Sequence, residues 1–137
     1  MVGVGKADTN LLNTVSFEIG RGPDGKWWII SDLIEAPSTA GFAIENRIAM
    51  GRVFPNFFTN SNIHRLAGYF KDLQQTLMQI KGRASGEVAL LSPGPMNQNY
   101  AEHAYLARYL GLLLVEGEDL IVQDGSAMVR TVAGPKP

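Results

Sequence analysis

Two groups of residues in this 137-residue chain have the types and spacing to do chemistry. The first is a pair of carboxylates, Glu18 in VSFEIG and Asp32 in WWIISD. Acids on neighbouring strands can hold Mg²⁺, which prefers oxygen ligands and often shares them with nucleotide phosphates. From spacing alone the same two acids read more simply as solvent-face charges on a half-exposed sheet. The second group is SPGPMNQNYAEH, where an apolar strand gives way to a helix. Loops at the carboxyl ends of parallel strands are where open α/β sheets bind ligands. A helix N-terminus adds free amides and a positive dipole end. Ser92, Gly94, Asn97, Asn99, Tyr100, Glu102 and His103 are therefore the substrate-binding candidates. Pro93 and Pro95 have no N–H, so Gly94 and the amides from Met96 to Tyr100 are expected to face a small anion. Asn97 or Asn99 could instead cap the helix. Glu102 or His103 could take the amine end of a bifunctional substrate, although a lone histidine is commonly structural. No residue stands out as catalytic.

The elements that must position these groups are legible in the pattern. Residues 15–33 read as an antiparallel hairpin around the turn RGPDGK, in which proline presets φ and glycine accepts positive φ. A helix is expected over 42–54, ending before Pro55. A second is expected over 62–81, with Ile63, Leu66, Phe70, Leu73, Leu77 and Ile80 at spacings of three and four and Gly82 as its stop. The polar linker KGRASGE follows. EVALLS, YAEHAYLARYL and LLLVEG then give strand, helix and strand, the order of a parallel βαβ unit. DLIVQDGSAMVRTV closes the chain as a hairpin around Gln123–Ser126. The fold class is α/β: a hairpin and two helices, then the βαβ unit and a terminal hairpin. Residues 1–81 are expected to form one part and 86–134 a second, smaller α/β part sharing its core. Tyr105, Leu106, Tyr109, Leu110, Trp27 and Trp28 are read as core or half-core positions. The glycines of MVGVGK lack the spacing of a phosphate loop, and that segment is read as a loose or strand-like lead-in.

Composition narrows the function classes. A 45% hydrophobic and 18% charged chain belongs to a globular protein. A net charge of −1 gives no electrostatic case for nucleic acid or an anionic membrane. With no cysteine there is no disulfide, thiolate metal site or cysteine nucleophile, in keeping with a cytoplasmic location. His64 and His103 lack metal-ligand spacing. No apolar run approaches the roughly 20 residues that span a bilayer.

Taken together, RGPDGKWWIISD–APSTAGFAIENR and LLSPGPMNQNYAEHAYLARYLG–LLVEGEDLIVQDG resemble the circularly permuted ATP-grasp proteins, which are distantly similar to glutathionylspermidine synthetase. The resemblance runs from about Val15 to Ala133. It implies ATP and Mg²⁺ as cofactors, a small-molecule carboxylate or amine as substrate, and ligation through an acyl-phosphate. It places Glu18 at the first metal-binding acid, leaves Asp32 as the carboxylate at the second strand's end, and assigns Arg47 to the nucleotide. Ser31 stands where the family's second acid is expected and Leu33 where its asparagine is. Thr39 stands where glycine is common. Two anionic groups must then serve where three ligands usually do. The family's complete proteins are several times longer and carry a lysine-bearing lobe that clasps ATP. The resemblance therefore implies a central fragment that is inactive alone and binds neither cofactor tightly by itself. It is expected to self-associate or to need the missing lobe. The alternative is a degenerate binding or scaffold module without ATP chemistry.

Overall fold

The computed structural model describes residues 12–35 and 37–137, so the glycine-rich lead-in Gly3–Lys6 lies outside the described residues. The chain divides into two compact units between Ser38 and Thr39. The described residues of the first form a hairpin, β1 (Ser16–Arg21) paired antiparallel with β2 (Trp27–Leu33). Its turn closes where the Gly22 N–H donates to the Lys26 carbonyl and Gly25 takes φ 79°, a conformation glycine adopts without steric cost. The register slips by one residue after Glu18, so that Ile19 faces Ile29 and Ile30 is the extra residue. Ile30 packs over Gly20, where a Cβ would sit 2.8 Å from its Cδ1. This β-bulge bends the ribbon and increases its twist.

WWII has no alternation because neither face of the ribbon is the polar one. Trp27, Trp28, Ile29 and Ile30 are 66%, 61%, 63% and 69% exposed, and Phe17 and Ile19 are also exposed. Trp27 and Trp28 are thus not core residues among the described residues: no second layer covers them in this unit. Continuous apolar runs of this kind normally belong to strands buried on both sides.

The second unit is a mixed α/β assembly. Its elements are α1 (Ala40–Val53), α2 (Pro55–Asn60), α3 (Ala67–Lys81), β3 (Ala89–Ser92), α4 (Tyr100–Leu110), β4 (Leu113–Glu116), a 3₁₀ turn (Gly117–Asp119), β5 (Leu120–Gln123) and β6 (Ser126–Val129). The parallel pair β3–β4 with α4 between them is the expected βαβ unit. β5 and β6 form the expected hairpin, turning on Asp124 and Gly125 with both φ values positive, the combination that a two-residue hairpin turn favours. Two helix boundaries differ from expectation. Pro55 does not merely end a helix. It starts α2, because proline's fixed φ and missing N–H suit the first helical position. That short helix uses residues up to Asn60, and Ser61 then becomes extended. α3 therefore begins at Ala67 rather than at residue 62, without a side-chain cap from Asn60, Ser61 or Asn62.

The core is small and brings together all three long helices. Ile44 of α1, Phe70 of α3 and Leu110 of α4 are buried against one another, with Ile48, Leu73, Tyr105 and Leu106 packed around them. The linker after α3 therefore joins segments that share one core. Phe70 meets Tyr109 edge to face, with ring centres 5.2 Å apart. α4 ends at Gly111 in the left-handed region, and Gln74 of α3 donates from Nε2 to the Leu110 carbonyl at 3.0 Å. That bond satisfies one of the carbonyls left open at the helix end.

Thr39, at the start of α1, has φ 86° and ψ −12° and gives no side-chain cap. Positive φ is strained for a β-branched residue and free of strain for glycine. Such strain costs on the order of 1–3 kcal/mol. Thr39→Gly should raise the unfolding free energy by about 1 kcal/mol in urea titration, part of the relief being offset by glycine's unfolded-state entropy. An unchanged or lower value would mean that the threonine is not strained.

Candidate functional site

The hairpin register decides how its acids can act. Glu18 pairs with Ser31, and Asp32 pairs with Phe17. Directly opposed residues share a face and successive residues alternate, so Glu18, Ser31 and Leu33 lie on one face and Asp32 on the other. The Ser31 hydroxyl donates to Glu18 Oε2 at 2.7 Å. The ribbon thus brings Glu18 to Ser31 and does not bring Glu18 to Asp32. The Glu18 face carries one carboxylate, one neutral hydroxyl and an apolar leucine. One carboxylate is a sparse donor set for Mg²⁺, which demands near-ideal octahedral oxygen coordination and is usually held through one or two carboxylates together with phosphates. Among the described residues no group of three or more His, Asp or Glu side chains gathers elsewhere.

The loop after β3 is organised from beneath. Ser92 ends β3 beside its register partner Glu116, which ends β4. Ser92 is 1% exposed; its Oγ accepts the Gly94 N–H at 3.2 Å and lies 2.9 Å from His103 Nδ1. The hydroxyl proton of a buried serine needs an acceptor, and His103 Nδ1 is the group within reach. Donation from the Ser92 hydroxyl to Nδ1 corresponds to the His103 tautomer protonated on Nε2. Gly94, with φ 96°, brings the backbone close to Glu116: a Cβ there would sit 2.8 Å from Glu116 Oε2. Glu116 is held in turn by a reciprocal pair with Asp119, whose Oδ2 accepts the Glu116 N–H at 2.8 Å. Glu116 is the residue that reading the sequence missed. The available signal was strand pairing, since two parallel strands of equal length place their last residues side by side.

The amides expected to face an anion are largely engaged within the loop. Gly94 N–H donates to Ser92, Asn97 N–H to the Gly94 carbonyl, Asn99 N–H to Asn97 Oδ1 and Tyr100 N–H to the Asn97 carbonyl. Asn97 thereby forms a turn of its own, and Asn99, at the N-cap position of α4, makes no side-chain cap bond. The Glu116 carboxylate against Gly94 also opposes an anion at that point.

Glu102 is 2% exposed and reaches across to α1, where its Oε1 accepts the Gly41 N–H at 2.9 Å. Gly41 leaves the room for this: a Cβ would stand 2.7 Å from Glu102 Cγ and 3.2 Å from Leu106 Cγ. A carboxylate at a helix N-terminus satisfies an orphan amide and meets the positive dipole end. Oε2 of Glu102 has no hydrogen-bond partner among the described residues. Tyr105, one turn further along α4, has its pKa raised above the ordinary tyrosine value of 10.0 by partial burial and then by the neighbouring Glu45 carboxylate, which disfavours the phenolate. Arg47 lies on the other side of α1, half-buried, with its guanidinium 5.1 Å from the Phe58 ring centre and Nη1 donating to the His64 carbonyl at 3.3 Å. No helix among the described residues is long and apolar enough to cross a membrane.

A hairpin rich in apolar residues, a βαβ unit with a built loop at its strand ends, and an acid facing the neighbouring strand are features of an ATP-grasp-like fold. The chain belongs to the circularly permuted ATP-grasp type 2 family, whose pattern it matches over residues 1–137. It is 36% identical over 119 residues to "Uncharacterized protein sll0335" of Synechocystis sp., covering 85% of this chain and 25% of the relative. It is 32% identical over 127 residues to "Uncharacterized protein Rv2411c" of Mycobacterium tuberculosis, covering 91% and 23%. It is also 32% identical over 126 residues to "Putative glutamate--cysteine ligase 2-2" of Frankia casuarinae, covering 90% and 15%. The chain spans a quarter or less of the length of these relatives.

Two outcomes follow from this geometry. Ser92→Ala strands the buried Gly94 N–H and removes the hydrogen-bond partner of His103. It should cost about 1–3 kcal/mol of unfolding free energy, the penalty for an unsatisfied buried donor. Nitrogen-15 spectra of the His103 ring should change from an Nε2–H pattern to a mixture of tautomers. A neutral Ser92→Ala would remove the loop's buried hub. The second outcome concerns pH. Because the folded pKa of Tyr105 lies above its unfolded value, its contribution to stability is full below pH 10 and is lost as pH rises through the raised folded value. Unfolding free energy should therefore decline above about pH 10, and Tyr105→Phe should flatten that part of the decline.

Proposed function

We propose that this chain is a module of a circularly permuted ATP-grasp protein of the carboxylate–amine ligase type, inactive when isolated from the remainder of such a protein. The observation that carries the reading is the hairpin, an ATP-grasp strand pair with Glu18 turned to Ser31 and with both apolar faces uncovered. The name of the Frankia relative supports a ligase that joins a carboxylate to an amino group. In this reading Glu18 is the acid on the metal side, Asp32 serves the opposite face, and Arg47 is the nucleotide-side cation. ATP and Mg²⁺ are the cofactors of the longer protein, and the donor set here is too poor to hold the ion alone. Ser92, Gly94 and Glu102 fix the substrate-side loop from below. Asn97, Asn99, Tyr100 and the Nε2 side of His103 are the groups it has to offer a small carboxylate or amine. Residues 1–81 and 86–134 then divide the work between the nucleotide and substrate sides while sharing a core. The protein works in the cytoplasm, without nucleic acid, and the uncovered hairpin drives self-association when the chain is alone.

Ser31 and Leu33 favour a second reading, a degenerate binding or scaffold module. A coding sequence with an ATP-clasping lobe beside this segment supports the ligase, and its absence supports the scaffold. For the chain alone, calorimetry should find no Mg²⁺-dependent ATP binding tighter than about millimolar, a free energy of about −4 kcal/mol. Sedimentation of the same sample should give species larger than a monomer at high concentration. Micromolar ATP binding lost in Glu18→Ala would overturn the inactive-module reading, and a clean monomer would remove self-association.

A further inference from the structure

Away from the hairpin and the loop after β3, the second unit holds a cavity of about 570 Å³ between α1, α2, the segment before α3, and α4. That volume lies in the roughly 300–1,000 Å³ range of small-molecule sites. Its lining includes the apolar side chains of Ile44, Ile63 and Leu66 together with two arginines, Arg47 and Arg65. No acid lines it. The ion pair among the described residues is Lys26–Asp24, in the hairpin, so neither arginine is neutralised by a carboxylate within reach. Arg47 is already fixed, its plane over Phe58 and one nitrogen spent on the His64 carbonyl. A guanidinium carries five donors, so the rest of its fork remains to be used. Glu45, two residues earlier, lies on the side of α1 that meets Tyr105 rather than in this lining.

Two cations at one apolar cavity with no counter-charge repel each other, and an anion between them relieves that repulsion and gains charge-assisted hydrogen bonds. An apolar lining beside the cations asks for an apolar body beside the charge. The geometry points to a binding site for an amphipathic organic anion, with a carboxylate or phosphate head between Arg47 and Arg65 and an apolar body over Ile44, Ile63 and Leu66. Arginine suits either head, because its planar fork matches carboxylate and phosphate oxygens in pairs. The inference shares Arg47 with the nucleotide-side role proposed above, but it is argued from this cavity and holds whether or not the ligase reading does.

The test titrates the full chain with octanoate, octyl phosphate and octyltrimethylammonium and follows backbone amide shifts. One or both anions should produce saturable shifts at Ile44–Ile48, Phe58 and Ile63–Ala67, and the cation should not. The anion that saturates first identifies the head group. Arg65 is exposed, so Arg65→Gln should fold normally and bind about tenfold more weakly, the loss of one strong charge-assisted contact. Arg47→Gln should abolish saturation. Equal shifts from the cation, shifts confined to the hairpin, or wild-type affinity in Arg65→Gln would each overturn the site.

Discussion

Glu102 is the constraint on which the second unit depends. Removing a carboxylate from water is costly unless the charge is met by hydrogen bonds and opposite potential. Here the start of α1 supplies both to Oε1, through the Gly41 amide at 2.9 Å and the helix dipole behind it, while Oε2 has no hydrogen-bond partner among the described residues. The approach is possible because residue 41 has no Cβ to collide with Glu102 and Leu106. With α1 and α4 fixed at that point, Ile44 and Leu110 come together over Phe70. One residue along, His103 reaches Ser92 on the adjoining strand. A single turn of α4 thus grips a helix and a strand, and the loop between Ser92 and Tyr100 takes its shape from both grips.

Among the described residues of the first unit there is no comparable device. A two-stranded ribbon is marginal in water without a third strand or a covering layer. Its tryptophans and isoleucines face solvent in the chain as it stands. Between its strands it has the Glu18–Ser31 pair, where one carboxylate is satisfied by a hydroxyl that costs little to place beside it. A second carboxylate at position 31 would repel the first unless a cation lay between them. Serine lets the strands close without one. Membership of the ATP-grasp family and a weak ion site are thus compatible in the same ribbon.

Much of this was legible in the residues. The hairpins, α4 and the βαβ unit follow from apolar runs and turn residues that agree with their neighbours. The helix boundaries failed at Pro55, because proline reads both as a stop and as a first residue, and only packing selects between them. The pairing of Glu18 with Ser31 was hidden by register, since one residue of slip moves a side chain to the other face. The loop at 92–100 was expected to display its amides; side-chain oxygens and carbonyls within the loop take up those of Gly94, Asn97, Asn99 and Tyr100, and such closures have no signature in spacing. Arg65 gave no signal at all, because its significance lies in a cavity assembled from four separate segments.

The Glu102–Gly41 bond spans 61 residues of chain. A growing polypeptide emerges at about 5–20 residues per second, so α1 leaves the ribosome roughly 3–12 seconds before the residue that seals its first turn. Over that interval the helix has a strained threonine at its start and no side-chain cap of its own. The contact between α1 and α4 therefore forms late in synthesis, after α3 has already been made.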